Sequence, residues 1–174
     1  MTLTTAMTMP VAAFRVSPYA DADREGVLDL ICTIQRGEFQ IPITAEDQPD
    51  LLDVPGFYRR GCGNFWVARA GDGVRGGVVG SIALVDIGGG QGALRKMFVE
   101  RDWRGAGVAL ALLEALLGWC AAHSVREIFL GTTTRFLAAH RFYEKHGFER
   151  IEKSALPPAF PVMGVDSVFY RKGL

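Results

Sequence analysis

A strand that runs into a glycine turn and then a long apolar helix, MFVERDWRGAGVALALLEALL over 97–117, constrains this chain more than any other segment. The strand ends near Val99, and the helix begins within Arg104 to Ala109. Gly105 and Gly107 let backbone amides approach a ligand with no Cβ in the way. The first N–H groups of a helix lack internal acceptors and carry the positive end of its dipole, so the turn is a natural seat for phosphate. Arg104 adds a permanent cation at its entrance. Sterics alone also favour glycine in such a turn, and Arg104 could be only a solvated charge. Two other phosphate motifs fail. No Lys-Ser/Thr pair closes a P-loop, and the third glycine of a dinucleotide turn is replaced by Leu110, with no acidic residue ending the next strand.

The flanking sequence reads as strands first and alternating strands and helices afterwards. A strand is expected over 12–16, then a helix over 23–39 with Val27, Leu28, Ile31 and Ile34 at helical spacing. Residues 40–63 are irregular, with one short helix after Thr44. NFWVARA over 64–70 runs into Gly71-Asp72-Gly73, a hairpin signal. Strands over 78–87 and 93–100 follow, separated by the Gly88–Gly90 cluster. Beyond the helix over 105–124 come a strand over 127–130, a helix over 136–146, and strands over 148–153 and 166–170. The last two are joined by the Pro-rich loop LPPAFPVMG. This order implies an α+β fold with a mixed central sheet.

Composition narrows the classes of function. The chain has 174 residues, a length suited to a single domain over 1–174, with 1–10 expected to be flexible. Lys plus Arg and Asp plus Glu both total 19, so no basic stripe for nucleic acid is expected. The cysteines Cys32, Cys62 and Cys120 are widely spaced, as for reduced thiols. With no signal-peptide pattern, they imply a cytoplasmic location. The apolar run over 108–122 is interrupted by Glu114 and is too short to span a bilayer, so no membrane partner is expected. No histidine falls at a metal-ligand spacing, and no metal is expected.

Two blocks together resemble the GNAT N-acetyltransferase family. The first is the strand ending in Met97, Phe98 and Val99, followed by Arg104, Gly107 and Ala109 at the spacing of the family's pyrophosphate motif. The second is LGTTTRFLAAHRFYEKHGF, similar to the family's later strand and helix. The resemblance implies acetyl-CoA as acyl donor, lying where two parallel central strands, over 94–99 and 127–130, splay apart. Pantetheine would pair with the backbone of the first strand at Met97 and Val99, beside Phe98. The amides of Arg104, Gly105, Ala106, Gly107, Val108 and Ala109 would hold the pyrophosphate. Tyr143 matches the family's general acid for the CoA thiolate; its other reading is as a core aromatic packed with Phe142 and Phe148.

The pattern departs from the family at two positions. Phe136 stands where many members have an asparagine that reaches pantetheine, and Ala93 where many have a glutamate base. Glu38 is the first candidate for a replacement base, followed by Glu46, Asp47, Asp50 and His140. A capping pair of Thr44 with Asp47 is the plainer reading of that segment. The loop over 156–164 would wall the acceptor side, or simply be rigid surface. The resemblance implies an N-acetyltransferase acting on a primary amine of a small molecule or peptide, with the acidic segment suiting a cationic acceptor. Its rival is a non-catalytic acyl-CoA-binding module of the same fold. Homodimers are frequent in the family, and the sequence neither supports nor opposes one here.

Overall fold

The computed structural model describes residues 13–71 and 77–174. The start of the first expected strand, the expected flexible terminus and the Asp72-Gly73 part of the hairpin turn lie outside them. Seven strands form one sheet: β1 (Phe14–Pro18), β2 (Asn64–Ala70), β3 (Val78–Gly88), β4 (Gln91–Val99), β5 (Glu127–Thr132), β6 (Glu149–Ile151) and β7 (Val168–Gly173). Their spatial order is β1-β2-β3-β4-β5-β7-β6. Among the described residues only β4 and β5 pair in parallel, and every other neighbouring pair is antiparallel. That is the mixed α+β sheet expected from the order of the elements.

The helices are α1 (Arg24–Thr33), α2 (Pro49–Leu52), α3 (Val54–Tyr58), α4 (Val108–Ala122) and α5 (Leu137–Lys145). On one face of the sheet, Val108, Leu112, Leu113 and Leu116 of α4 and Tyr143 of α5 pack on Trp66, Ile82, Leu84, Leu94 and Leu130. On the other face, Val27 and Ile31 of α1 join Leu51, Val54 and Tyr58 against Phe65, Val67 and Ala83. Beside them Phe160 of the Pro-rich loop packs with Ala93, Phe129 and Phe169. Burial of these apolar side chains on both faces supplies the main driving force for the sheet sandwich.

Two expected helices differ from those found. The helix expected over 23–39 is divided: a 3₁₀ turn at Asp21–Asp23, α1, then a widened π turn at Ile34–Glu38. The short helix expected after Thr44 is present but set back and doubled, at Pro49–Leu52 and Val54–Tyr58, because Asp47 accepts from both the amide and the hydroxyl of Thr44 and holds a turn there. Helix resumes only at Pro49, which suits a first helical position because it needs no N–H partner there.

Two features of β4 shape the site. It pairs with β5 only over Gln91–Ala93, opposite Glu127–Phe129. Past Ala93 the two strands part, leaving an edge of β4 with no strand partner. On its other edge, Ser81 opposes Phe98 and Ala83 opposes Arg95, so Ile82 faces two residues, Lys96 and Met97. This is a β-bulge, and Lys96 adopts a φ of 54° within it. The Ser81 hydroxyl donates to the Lys96 carbonyl (2.6 Å) and fixes the distortion.

Candidate active site

The parting of β4 from β5 opens a cleft of about 960 Å³. Met97, Phe98 and Val99 line it from β4, Gly105, Gly107, Val108 and Ala109 from the glycine turn, and Phe142 and Tyr143 from α5. Arg104 and Glu38 line it as well. The cofactor-side residues singled out from the sequence therefore meet in one cleft, except that Ala106 is not part of its wall.

The helix starts later than expected, and the difference sharpens the turn. Gly107 caps α4 at a φ of 87°, and Gly105 has a φ of 79°. Both lie in the left-handed region that a Cβ disfavours. The first helical bond of α4 runs from the Ala111 amide to the Gly107 carbonyl (3.0 Å), which leaves the amides of Val108, Ala109 and Leu110 without helical acceptors. A Cβ built on Gly105 or Gly107 meets nothing within 4 Å, so the space over these amides is open. Open space, free amides and the helix dipole fit the pyrophosphate of an acyl-CoA.

Arg104 spans the groove. Its Nε donates to the Val99 carbonyl (3.0 Å), while its two terminal nitrogens reach Glu38 Oε1 (3.0 Å) and Oε2 (2.7 Å). Both Glu38 oxygens are thus committed to a guanidinium. Phe136, standing where the family's asparagine was sought, packs on Phe39 with ring centroids 4.0 Å apart and makes this wall apolar. Arg135 donates to the Phe39 carbonyl (3.1 Å) and ties the same wall to α5.

Tyr143 is 5% exposed, packed among Phe142, Phe148 and Tyr170. The core packing expected as its plainer reading is real, yet the ring also lines the cleft. Burial, and to a lesser degree Tyr170, pushes its pKa well above the ordinary phenol range, so the phenol stays protonated. The remaining base candidates are mostly engaged. His140 Nε2 bonds the Thr133 carbonyl (2.8 Å), and Asp47 is held by Thr44. Asp50 is buried, accepting from Tyr58 Oη and lying 3.4 Å from Lys96 Nζ. Glu46 is exposed on the turn beside them.

Sequence reasoning missed the Lys96 cluster. Lys96 Nζ donates to Gln48 Oε1 (2.8 Å) and pairs with Asp50, both side chains of the pair being 8% exposed. Burial lowers the Lys96 pKa, and Asp50 opposes the shift. A signal was present: two consecutive cations, Arg95-Lys96, in the middle of a central strand need partners. Among the described residues no group of three or more His, Cys, Asp or Glu could hold a metal, and no helix is long and apolar enough to cross a membrane. All three cysteines are free thiols, and burial pushes the Cys120 thiol up to about 12.

Comparison with known proteins agrees with this geometry. Residues 28–148 match a sequence model of the acetyltransferase (GNAT) family. The chain is 34% identical over 104 residues to N-acetylaspartate synthetase of Danio rerio, covering 59% of this chain and 36% of that protein. It is 31% identical over 108 residues to N-acetyltransferase family 8 member 2 of Rattus norvegicus, covering 59% and 46%. The matched region thus spans less than half the length of these curated relatives. A GNAT-family acetyltransferase from Staphylococcus aureus superposes with a TM-score of 0.86 at 32% identity, covering 92% of this chain and 99% of that one. The PaiA N-acetyltransferase of Thermoplasma acidophilum, solved with coenzyme A, shares the fold alone, with a TM-score of 0.70 at 12% identity over 93% of this chain and 99% of that one. The family match runs from α1 through the glycine turn to Phe148, well over half of the sequence, and the chain belongs to the acetyltransferase (GNAT) family.

Proposed function

We propose that the protein is an N-acetyltransferase that moves an acetyl group from acetyl-CoA to a primary amine of a small molecule or peptide. The observation that carries this reading is the conjunction of a free β4 edge, an open amide cradle on α4 and a buried, protonated tyrosine in one cleft. When bound, acetyl-CoA supplies an acetyl thioester. The Val108, Ala109 and Leu110 amides hold the pyrophosphate, and the β4 backbone at Met97 and Val99 holds pantetheine. A β4 amide directed at the carbonyl oxygen stabilises the negative charge that develops there on attack. Tyr143 gives its proton to the departing sulfur and recovers one from the nitrogen that has attacked. The carbon–nitrogen bond forms and the carbon–sulfur bond breaks. An acceptor that arrives as an ammonium ion releases one further proton to a base.

Glu38, the first candidate for that base, is bonded to Arg104 through both oxygens. We therefore assign it to holding Arg104 over the groove. We further place the whole chain as one catalytic domain working in the cytoplasm, where its three thiols stay reduced.

Thermal unfolding with acetyl-CoA, on wild type and on Ala109→Glu, tests the donor. The variant sets a carboxylate over the amide cradle without disturbing a positive-φ glycine. Ligand at about a hundred times its dissociation constant stabilises the native state by roughly 2.7 kcal/mol. The expected result is a saturable rise that Ala109→Glu removes. No rise in a folded wild-type sample contradicts the reading.

A further inference from the structure

The acidic segment that suggested a cationic acceptor is largely consumed: Asp47 holds Thr44, and Asp50 holds Lys96 and Tyr58. The charge left near the acceptor side is of the opposite sign. Arg95 lies two residues beyond Ala93, the last β4 residue paired with β5, and so stands where the strands part. It faces the side of the sheet carrying α3 and the Pro-rich loop: its guanidinium carbon is 5.9 Å from the centre of the Phe57 ring, and its Nη2 is 3.4 Å from the Met163 sulfur. Among the described residues no carboxylate lies within ion-pair distance of it. A half-buried guanidinium resting on a ring, with only Nη2 turned to a thioether, keeps N–H donors to spare for a carboxylate.

Asp166 lies on the β5 side of that parting, against Gly131. Its Oδ2 accepts from the Met163 amide (2.8 Å), and a Cβ on Gly131 of β5 would stand 2.6 Å from that oxygen. The absent side chain at Gly131 is thus what admits the carboxylate to the β5 edge of the opening. Its Oδ1 has no protein partner among the described residues. Burial raises the pKa of Asp166, with the Met163 amide and then Arg95 opposing the shift, which favours a carboxylate able to accept a proton. Met163 contacts both residues, so a cation and an anion flank one side chain without pairing with each other.

We propose that Arg95 and Asp166 form the acceptor site, Arg95 binding the carboxylate of a small amino acid and Asp166 binding its ammonium group and removing one proton. This rests on the N-acetyltransferase reading and deepens it. Phe57 and Met163, 40% and 43% exposed beside the guanidinium, offer an apolar wall, so the acceptor's side chain is apolar. The proton leaves Asp166 for water, and the neutral amine attacks as described above.

The test is thiol release at saturating acetyl-CoA, comparing methionine and phenylalanine with the amines left when their carboxylates are removed. Wild type is expected to prefer the amino acids in kcat/KM, on the order of 100-fold, the loss typical of deleting one member of a hydrogen-bonded charge pair. Arg95→Gln should erase the preference chiefly through KM while keeping its thermal shift with acetyl-CoA, and Arg95→Lys should restore part of it. Asp166→Asn should lower kcat for amino acids and amines alike. Equal use of the decarboxylated amines, or an unchanged preference in Arg95→Gln, overturns this acceptor site and leaves N-acetyl transfer standing. No thiol release with any amine overturns both.

Discussion

Burial keeps the Tyr143 phenol protonated, because removing a phenolate from water costs far more than removing a phenol. The same burial that makes this ring part of the core therefore keeps the proton on the phenol at the cleft, while making the phenol a weaker acid. Replacing it by phenylalanine keeps the packing and removes the proton, so Tyr143→Phe is expected to lower kcat by roughly 100-fold with KM for acetyl-CoA little changed. The active form is protonated and its pKa is raised. Hence wild-type kcat should show no fall near pH ~10, where an ordinary tyrosine ionises. A pH–rate profile with an alkaline limb there contradicts the role. The left-handed turn at Gly105 and Gly107 was legible in the sequence from residue identity, whereas Tyr143 was singled out only by the resemblance to the family. Glu38 was not, because its engagement depends on Arg104, which is remote in sequence. Asp166 was overlooked because nothing in LPPAFPVMG or in the strand after it shows that its carboxylate settles against Gly131.

At the scale of elements, the bulge in β4 organises the cleft. The Ser81–Lys96 bond fixes it from the sheet, and the Lys96 side chain ties it to Gln48 and Asp50 at the start of α2. A buried pair of this kind is weak as net stabilisation but costly to break on one side only. Asp50→Ala should destabilise the protein by about 3 kcal/mol, because it leaves Lys96 buried beside Gln48 alone. The double variant Lys96→Met with Asp50→Leu should recover much of that loss. Urea unfolding midpoints measure both; a double variant no more stable than Asp50→Ala removes the pair from this role. Strands β2 and β4 were readable within two residues of their ends because glycines and turn residues bound them. The bulge was not, since one extra residue in β4 exists only relative to its register with β3. The π turn at Ile34–Glu38 was likewise hidden behind an apolar spacing that continues as if the α-helix did.

Over the whole molecule, two motifs about 20 residues apart in the chain meet in one cleft because β4 and β5 are neighbours and then separate. The fold was largely predictable for that reason: its strands and long helix are locally encoded, and the parallel crossover through α4 is the standard route between such strands. Of the proposed acceptor side only the loop over 156–164 was singled out, because the approach of α3, β4 and β5 to it carries no mutual signal in their sequences. The measurement that tests N-acetyl transfer most directly is simultaneous quantification of CoA thiol and N-acetylated product, with acetyl-CoA held saturating and amine varied. Thiol release that rises with amine and matches the amide formed one for one is the expected result. Thiol release indifferent to amine, or none at all from protein that binds acetyl-CoA, would show a cleft that holds the donor without transferring its acetyl group.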